Sequence, residues 1–128
     1  MNRSILLIED NEQNRYLVTF LLEQTGYTVR AARDGLRGIE AAAAHTHALI
    51  LLDIQLPTMD GYAVARALRK LQLVGDTPIV AVTSYAMPGD RERALEAGCT
   101  GYIEKPIDPD TFVTQLELLM THQPGALP

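Results

Sequence analysis

The sequence predicts an α/β domain, a doubly wound five-stranded parallel sheet with helices on both faces. Short apolar runs recur five times along the chain. Segments with helical spacing lie between them, and two of the runs are apolar almost throughout, as in strands buried on both sides. Strands that alternate with helices close into a parallel sheet through right-handed crossovers.

The first strand is the apolar run at 5–8, followed by a helix in which Leu17 and Leu21 share a face and which stops at Gly26. A weaker run at 27–32 is the second strand. Asp34 then stands where a cap would start the second helix, which includes the helix-favouring alanines at 41–44. The run at 48–52 is the third strand. Asp60 opens a helix carrying Val64, Leu68 and Leu71 on one side, and Gly75 with Asp76 turns the chain into the fourth strand at 79–82. A fourth helix ends at Gly98, before a fifth strand around Tyr102 and Ile103. Asp108, with Pro109 in a favourable first-turn position, starts a last helix bearing Phe112, Leu116 and Leu119. Residues 1–121 thus read as one domain, and 122–128 as a flexible tail.

Size and charge narrow the function classes. A chain of 128 residues fits one core, which at this size buries about two thirds of the surface the unfolded chain exposes. The apolar share of 47% and charged share of 21% are ordinary for a globular protein. A net charge of -5 with scattered Lys and Arg provides no footprint for a nucleic-acid backbone, so no direct nucleic-acid partner is expected. The apolar run before Glu9 and Asp10 is too short for a signal peptide or a membrane span, and the expected location is cytoplasmic, with no membrane partner. Cys99 is the only cysteine, which excludes an internal disulfide and makes it a small buried packing residue.

In an open parallel sheet, ligands bind outside the carboxyl ends of the strands. Glu9 and Asp10 follow the first strand, Asp53 the third, Thr83 and Ser84 the fourth, and Lys105 before Pro106 the fifth. Three carboxylates, a hydroxyl and an ammonium thereby meet at one edge. Such carboxylates repel one another unless a hard cation neutralises them, and Mg²⁺ prefers oxygen ligands. A cation there offsets the charge of an incoming phosphoryl group, Lys105 and Thr83 supply further contacts, and Asp53 is placed as nucleophile. Each residue has a plainer reading: Glu9 and Asp10 as turn formers or caps, Thr83 as a β-branched strand end, Lys105 as a solvated lysine, Asp53 as half of a buried ion pair with Lys105. Their joint placement favours the site. Asp53 is also the only charge between Ala48 and Pro57, and so apolar a stretch calls for a partner or a role.

With these motifs in order, the sequence resembles the receiver domains of two-component response regulators. The resemblance runs from Ser4 to about Met120. It rests on ILLIEDN at 5–11, LILLDIQLPTMDG at 49–61, VTSYAM at 82–87, GDRERALEAGCTGYIEKPI at 89–107 and the Lys105-Pro106 pair. It implies a flavodoxin-like (βα)5 fold with strand order 2-1-3-4-5. Asp53 is then the phospho-acceptor, Glu9, Asp10 and Asp53 hold Mg²⁺ with the main-chain carbonyl of Gln55, and Thr83 and Lys105 contact the phosphoryl group. Thr83 and Tyr102 match the switch pair, and the bond before Pro106 is expected to be cis. The plain alternative for Tyr102 is a strand aromatic packed in the core. Gln55 and Tyr85 occupy variable positions that tune phosphoryl lifetime in the family, and Ser84 stands where Ala is frequent.

The implied partners are a sensor histidine kinase or histidine phosphotransfer protein upstream and a protein target downstream, on the face of helix four, strand five and helix five. Without an output domain the expectation is a stand-alone, DivK-like regulator, and the initial Met speaks against a fragment of a hybrid kinase. Such a protein is not an enzyme with a free substrate; it catalyses only its own phosphoryl transfer and loss. One alternative is a pseudo-receiver, a scaffold that binds partners without phosphorylation. Another is an enzyme or flavin binder on the same fold, which lacks support here: no glycine-rich loop follows the first strand, and Gln55 stands where an aspartyl-phosphate hydrolase needs a second acid.

Overall fold

The structure, a computed structural model, describes residues 2–84 and 87–121. Tyr85 and the tail at 122–128 lie outside the described residues. The elements alternate as β1 (Ser4–Ile8), α1 (Glu12–Gln24), β2 (Thr28–Ala32), α2 (Gly35–Ala44), β3 (Leu49–Asp53), α3 (Gly61–Arg69), β4 (Ile79–Thr83), α4 (Asp90–Glu96), β5 (Gly101–Glu104) and α5 (Phe112–Thr121). All strand pairings are parallel, in the order β2-β1-β3-β4-β5.

Side-chain alternation along the strands divides the core into two layers. Leu6, Ile8, Ile50, Leu52, Ile79 and Ala81 pack under α2, α3 and α4, where they meet Ala42, Val64, Leu68 and Ala94. Ile5, Leu7, Leu49, Leu51, Val80 and Val82 pack under α1 and α5, against Val18, Leu22, Phe112 and Leu116. The central strands β3 and β4 are buried along their whole length, which explains their unbroken apolar sequence. Cys99 is a free, buried thiol within the first layer, and burial pushes its pKa up to about 11.

Local chemistry fixes the element ends. The side chains of Asn11, Asp34 and Asp60 accept N–H bonds at the starts of α1, α2 and α3. Gly26 and Gly98 take positive φ beyond the ends of α1 and α4, which a side chain would resist. Asp108 does not begin α5 directly. Its carboxylate accepts from the Asp110 N–H and its carbonyl from Thr111 and Phe112, so one turn precedes the helix. Gly61 packs so closely on the Ile54 backbone, to which its N–H donates at 3.1 Å, that a Cβ there would collide with it. The 54–60 loop is thereby folded back beside the end of β3.

Candidate functional site

Asp53 and Thr83 are the last residues of β3 and β4 rather than the first beyond them. Ladder pairing of Asp53 with Val82, and of Thr83 with Glu104, carries both strands one residue further than their apolar runs. Glu9 follows β1 and is still held by the sheet, because its N–H donates to the Ala32 carbonyl at 3.0 Å. Lys105 follows β5 and donates its N–H to the Thr83 carbonyl at 2.7 Å. The Lys105–Pro106 bond is cis. All the polar groups picked out in the sequence therefore stand at one end of the sheet, where parallel strands leave a crevice.

Within that crevice, one oxygen from each of Glu9, Asp10 and Asp53 lies within 4.8 Å of the others. Glu9 and Asp53 are only 3% and 4% exposed, whereas Asp10 is open to solvent. The Lys105 ammonium reaches Glu9 Oε1 at 3.0 Å and Asp53 Oδ2 at 3.4 Å. Main-chain donors complete the set: the Asn11 N–H on Glu9 Oε2 at 3.2 Å and the Gln55 N–H on Asp53 Oδ1 at 3.0 Å. The ion pair with Lys105, the plainer reading of Asp53, is thus present, but it is shared with Glu9.

The electrostatics follow from one ammonium shared by two buried carboxylates. Burial, then the neighbouring Glu9 carboxylate, pushes the Asp53 pKa up to about 7, against the pull of the Gln55 N–H and Lys105. Burial also acts to raise Glu9, but the hydrogen bond with Asp53, the Lys105 ammonium and the Asn11 N–H outweigh it and hold Glu9 below its ordinary value. Burial acts to lower Lys105, yet Glu9 and Asp53 raise it, so it stays charged. One ammonium beside three clustered carboxylates leaves an excess of negative charge among these side chains. Its donors are oxygens only, with no His or Cys among them, and this is the set a hard divalent cation takes.

Two contacts at this edge were not legible in the sequence. Arg15, one turn into α1, donates to the carbonyls of Glu9 and Asp10 at 2.8 and 2.9 Å and so fixes the backbone of the acidic pair. The Gln55 side chain, beyond the end of β3, donates to the Thr83 hydroxyl at 2.8 Å and accepts from Ser84. The second depends on how the segments beyond the neighbouring strands β3 and β4 pack, which their order does not give, and no pattern marks the first. Tyr102 is half-buried and packs against the α2–α3–α4 layer. It lines a cavity of about 390 Å³ with Met87, Pro88 and Glu104. A neighbouring cavity of about 370 Å³ lies beside Thr83 and Gln55, closed by Tyr62, Asp90 and Arg93.

Comparison with known proteins bears on the family and the fold. Residues 5–117 match the family model of the response regulator receiver domain. The chain is 39% identical over 117 residues to the polar-differentiation response regulator DivK of Brucella ovis, a match covering 91% of this chain and 95% of DivK. Among solved structures, the chemotaxis protein CheY4 of Vibrio cholerae superposes with a TM-score of 0.88 at 27% identity, covering 93% of this chain and 99% of CheY4. The receiver domain of the sensor histidine kinase PA1611 of Pseudomonas aeruginosa superposes with a TM-score of 0.85 at 33% identity, covering 95% and 100% of the two chains. That structure has a magnesium ion coordinated in its active-site cleft.

The fold and its acidic edge are those of a two-component signalling module of the DivK and CheY kind. The chain belongs to the response regulator receiver domain family. Members of this family are signalling proteins regulated by histidine kinases or phosphotransfer proteins, rather than enzymes acting on a free substrate. Among the described residues, no helix is long and apolar enough to cross a membrane.

Proposed function

We propose that the chain is a phosphorylation-dependent switch that takes a phosphoryl group on Asp53 and signals through protein contacts. The observation that carries this reading is the Asp53 carboxylate, buried at the end of β3 yet within reach of Lys105, Glu9 and Asp10. The donor is a phosphohistidine on a sensor histidine kinase or a histidine phosphotransfer protein. An Asp53 carboxylate oxygen forms the new bond to phosphorus as the phosphorus–nitrogen bond to the donor histidine breaks, and the imidazole leaves with the electron pair. Lys105, already 3.4 Å from Asp53, follows the charge onto the phosphoryl oxygens. The Thr83 hydroxyl donates a hydrogen bond to one of them.

The oxygen donors of Glu9, Asp10 and Asp53 fit Mg²⁺, which these residues would hold together with the main-chain carbonyl of Gln55 that the family resemblance adds; bound there, it would offset part of the charge of the carboxylates and of the phosphoryl oxygens. The same residues serve transfer onto Asp53 and later hydrolysis, the only reactions the chain catalyses. Reorientation of Thr83 leaves room for Tyr102 to turn inward, which reshapes the face of α4, β5 and α5 for a downstream partner. The added charge acts by favouring one of two existing arrangements. On this reading the protein works in the cytoplasm, where kinases have ATP.

The test is transfer from a histidine phosphotransfer domain carrying labelled phosphate on its histidine. Label should pass to the wild-type chain and fail to pass to Asp53→Ala. Label retained on the donor, together with target binding unchanged by Asp53→Ala, would establish a constitutive scaffold in its place.

A further inference from the structure

The Gln55 side chain joins the ends of β3 and β4 through three hydrogen bonds. Its Oε1 accepts from the Ser84 N–H at 3.2 Å and from the Ser84 hydroxyl at 3.1 Å. Its Nε2 donates to the Thr83 hydroxyl oxygen at 2.8 Å. The orientation of the amide is determined chemically, because the Ser84 main-chain N–H can only donate and so must face the carbonyl oxygen. That leaves the amide nitrogen for Thr83.

Thr83 is 2% exposed, and its main chain is fixed by the ladder and by the Lys105 N–H on its carbonyl. Movement of its hydroxyl is therefore a side-chain rotation, and that rotation must break the bond from Gln55 or take Gln55 with it. The cavity of about 370 Å³ lined by both residues gives the amide space to withdraw.

We propose that the Gln55 side chain is a latch, anchored on Ser84, that holds the Thr83 hydroxyl in its resting orientation and so biases the domain toward the resting state. This rests on the reading of Thr83 as the hydroxyl that turns to the phosphoryl group. Gln55 is a positioning residue here, since its side chain acts on the site through Thr83. A ligand that needs the turned hydroxyl binds more weakly by the fraction of molecules in which the latch is open. One such hydrogen bond alters that fraction by a factor of roughly two to ten.

The test uses the full chain with methyl-labelled threonine, Mg²⁺ and beryllofluoride as the phosphoryl mimic. In Gln55→Met, which keeps the length of the side chain and the main-chain carbonyl, the Thr83 methyl resonance of the mimic-free protein should move toward its mimic-bound position. The mimic should bind roughly two- to tenfold more tightly. Ser84→Ala, which removes one of the two anchors, should move both quantities in the same direction by less. A Thr83 resonance unchanged in Gln55→Met, or mimic binding that is unchanged or weaker, overturns the latch while the wild type still binds the mimic. A wild type that fails to bind the mimic at all removes the proposed switch, and the latch with it.

Discussion

Replacing Asp53 by Asn should stabilise the metal-free fold, because the residue best placed for chemistry is badly placed for stability. The carboxyl pKa lies near 7 in the folded chain, against an ordinary value of 3.8. The folded state therefore holds this proton more tightly than the unfolded chain does. At low pH both states are protonated and there is no penalty. As pH rises between the two values, the unfolded chain ionises freely while the folded one resists, so the stability contribution declines across that window and levels off above about 7. Since each pKa step is worth about 1.4 kcal/mol and the value of about 7 already includes the pull of Lys105, the full penalty above about pH 7 is on the order of 4 kcal/mol.

The amide introduced by Asp53→Asn keeps an acceptor for the Gln55 N–H, and Lys105 keeps Glu9 at 3.0 Å, so little is lost with the charge. In chelator at about pH 8, the variant should unfold with a midpoint raised by roughly 3–6 °C per kcal/mol, and the gain should shrink toward about pH 5. Saturating Mg²⁺ should raise the wild type more than the variant and narrow the gap. Thermal unfolding followed by circular dichroism across this pH range is the assay. A variant no more stable than wild type at the alkaline end, or a gap independent of pH, would refute the reasoning.

Lys105→Met leaves Glu9 and Asp53 facing each other without their cation and should cost about 2–4 kcal/mol in chelator, with Mg²⁺ restoring most of it; denaturant unfolding with and without Mg²⁺ measures both. Gly61→Ala forces the 54–60 loop off the Ile54 backbone and should cost about 1–3 kcal/mol and also slow adduct formation on Asp53, by denaturant unfolding and by mass. His47 is 7% exposed, with no hydrogen-bond partner for Nε2 among the described residues, and burial, then Arg30 and His45, hold its pKa below the ordinary 6.5. The unfolded chain takes up this proton first, so stability present above about 6.5 is lost as pH falls through the folded value. His47→Phe should flatten that acid limb in unfolding curves, and an unchanged limb would exclude His47 as its source.

The layered fold was legible because each signal had one physical cause. Runs such as ILLI at 5–8 and LILL at 49–52 can be buried on both faces only in a covered parallel sheet, and Gly26, Asp34, Asp60 and Gly98 mark ends where backbone geometry leaves little choice. The convergence of Glu9, Asp10, Asp53, Thr83 and Lys105 was legible for the same reason, since parallel strands put all their carboxyl ends on one edge. Strand ends were blurred at Asp53 and Thr83, where the ladder continues past the apolar run. Asp108 does accept from the Asp110 N–H and, through its carbonyl, from Phe112, as a cap would, but one turn intervenes before α5 begins at Phe112. The contacts of Gln55 with Thr83 and of Arg15 with the acidic pair depend on how neighbouring segments pack, which residue spacing does not encode.

The most direct measurement is intact mass after incubation with acetyl phosphate and Mg²⁺, quenched quickly and run beside Asp53→Asn and a chelated sample. The account predicts one phosphoryl adduct on the wild type and none in either control. An adduct that persists in Asp53→Asn, or a wild type that gains none and also fails to bind beryllofluoride, would contradict it.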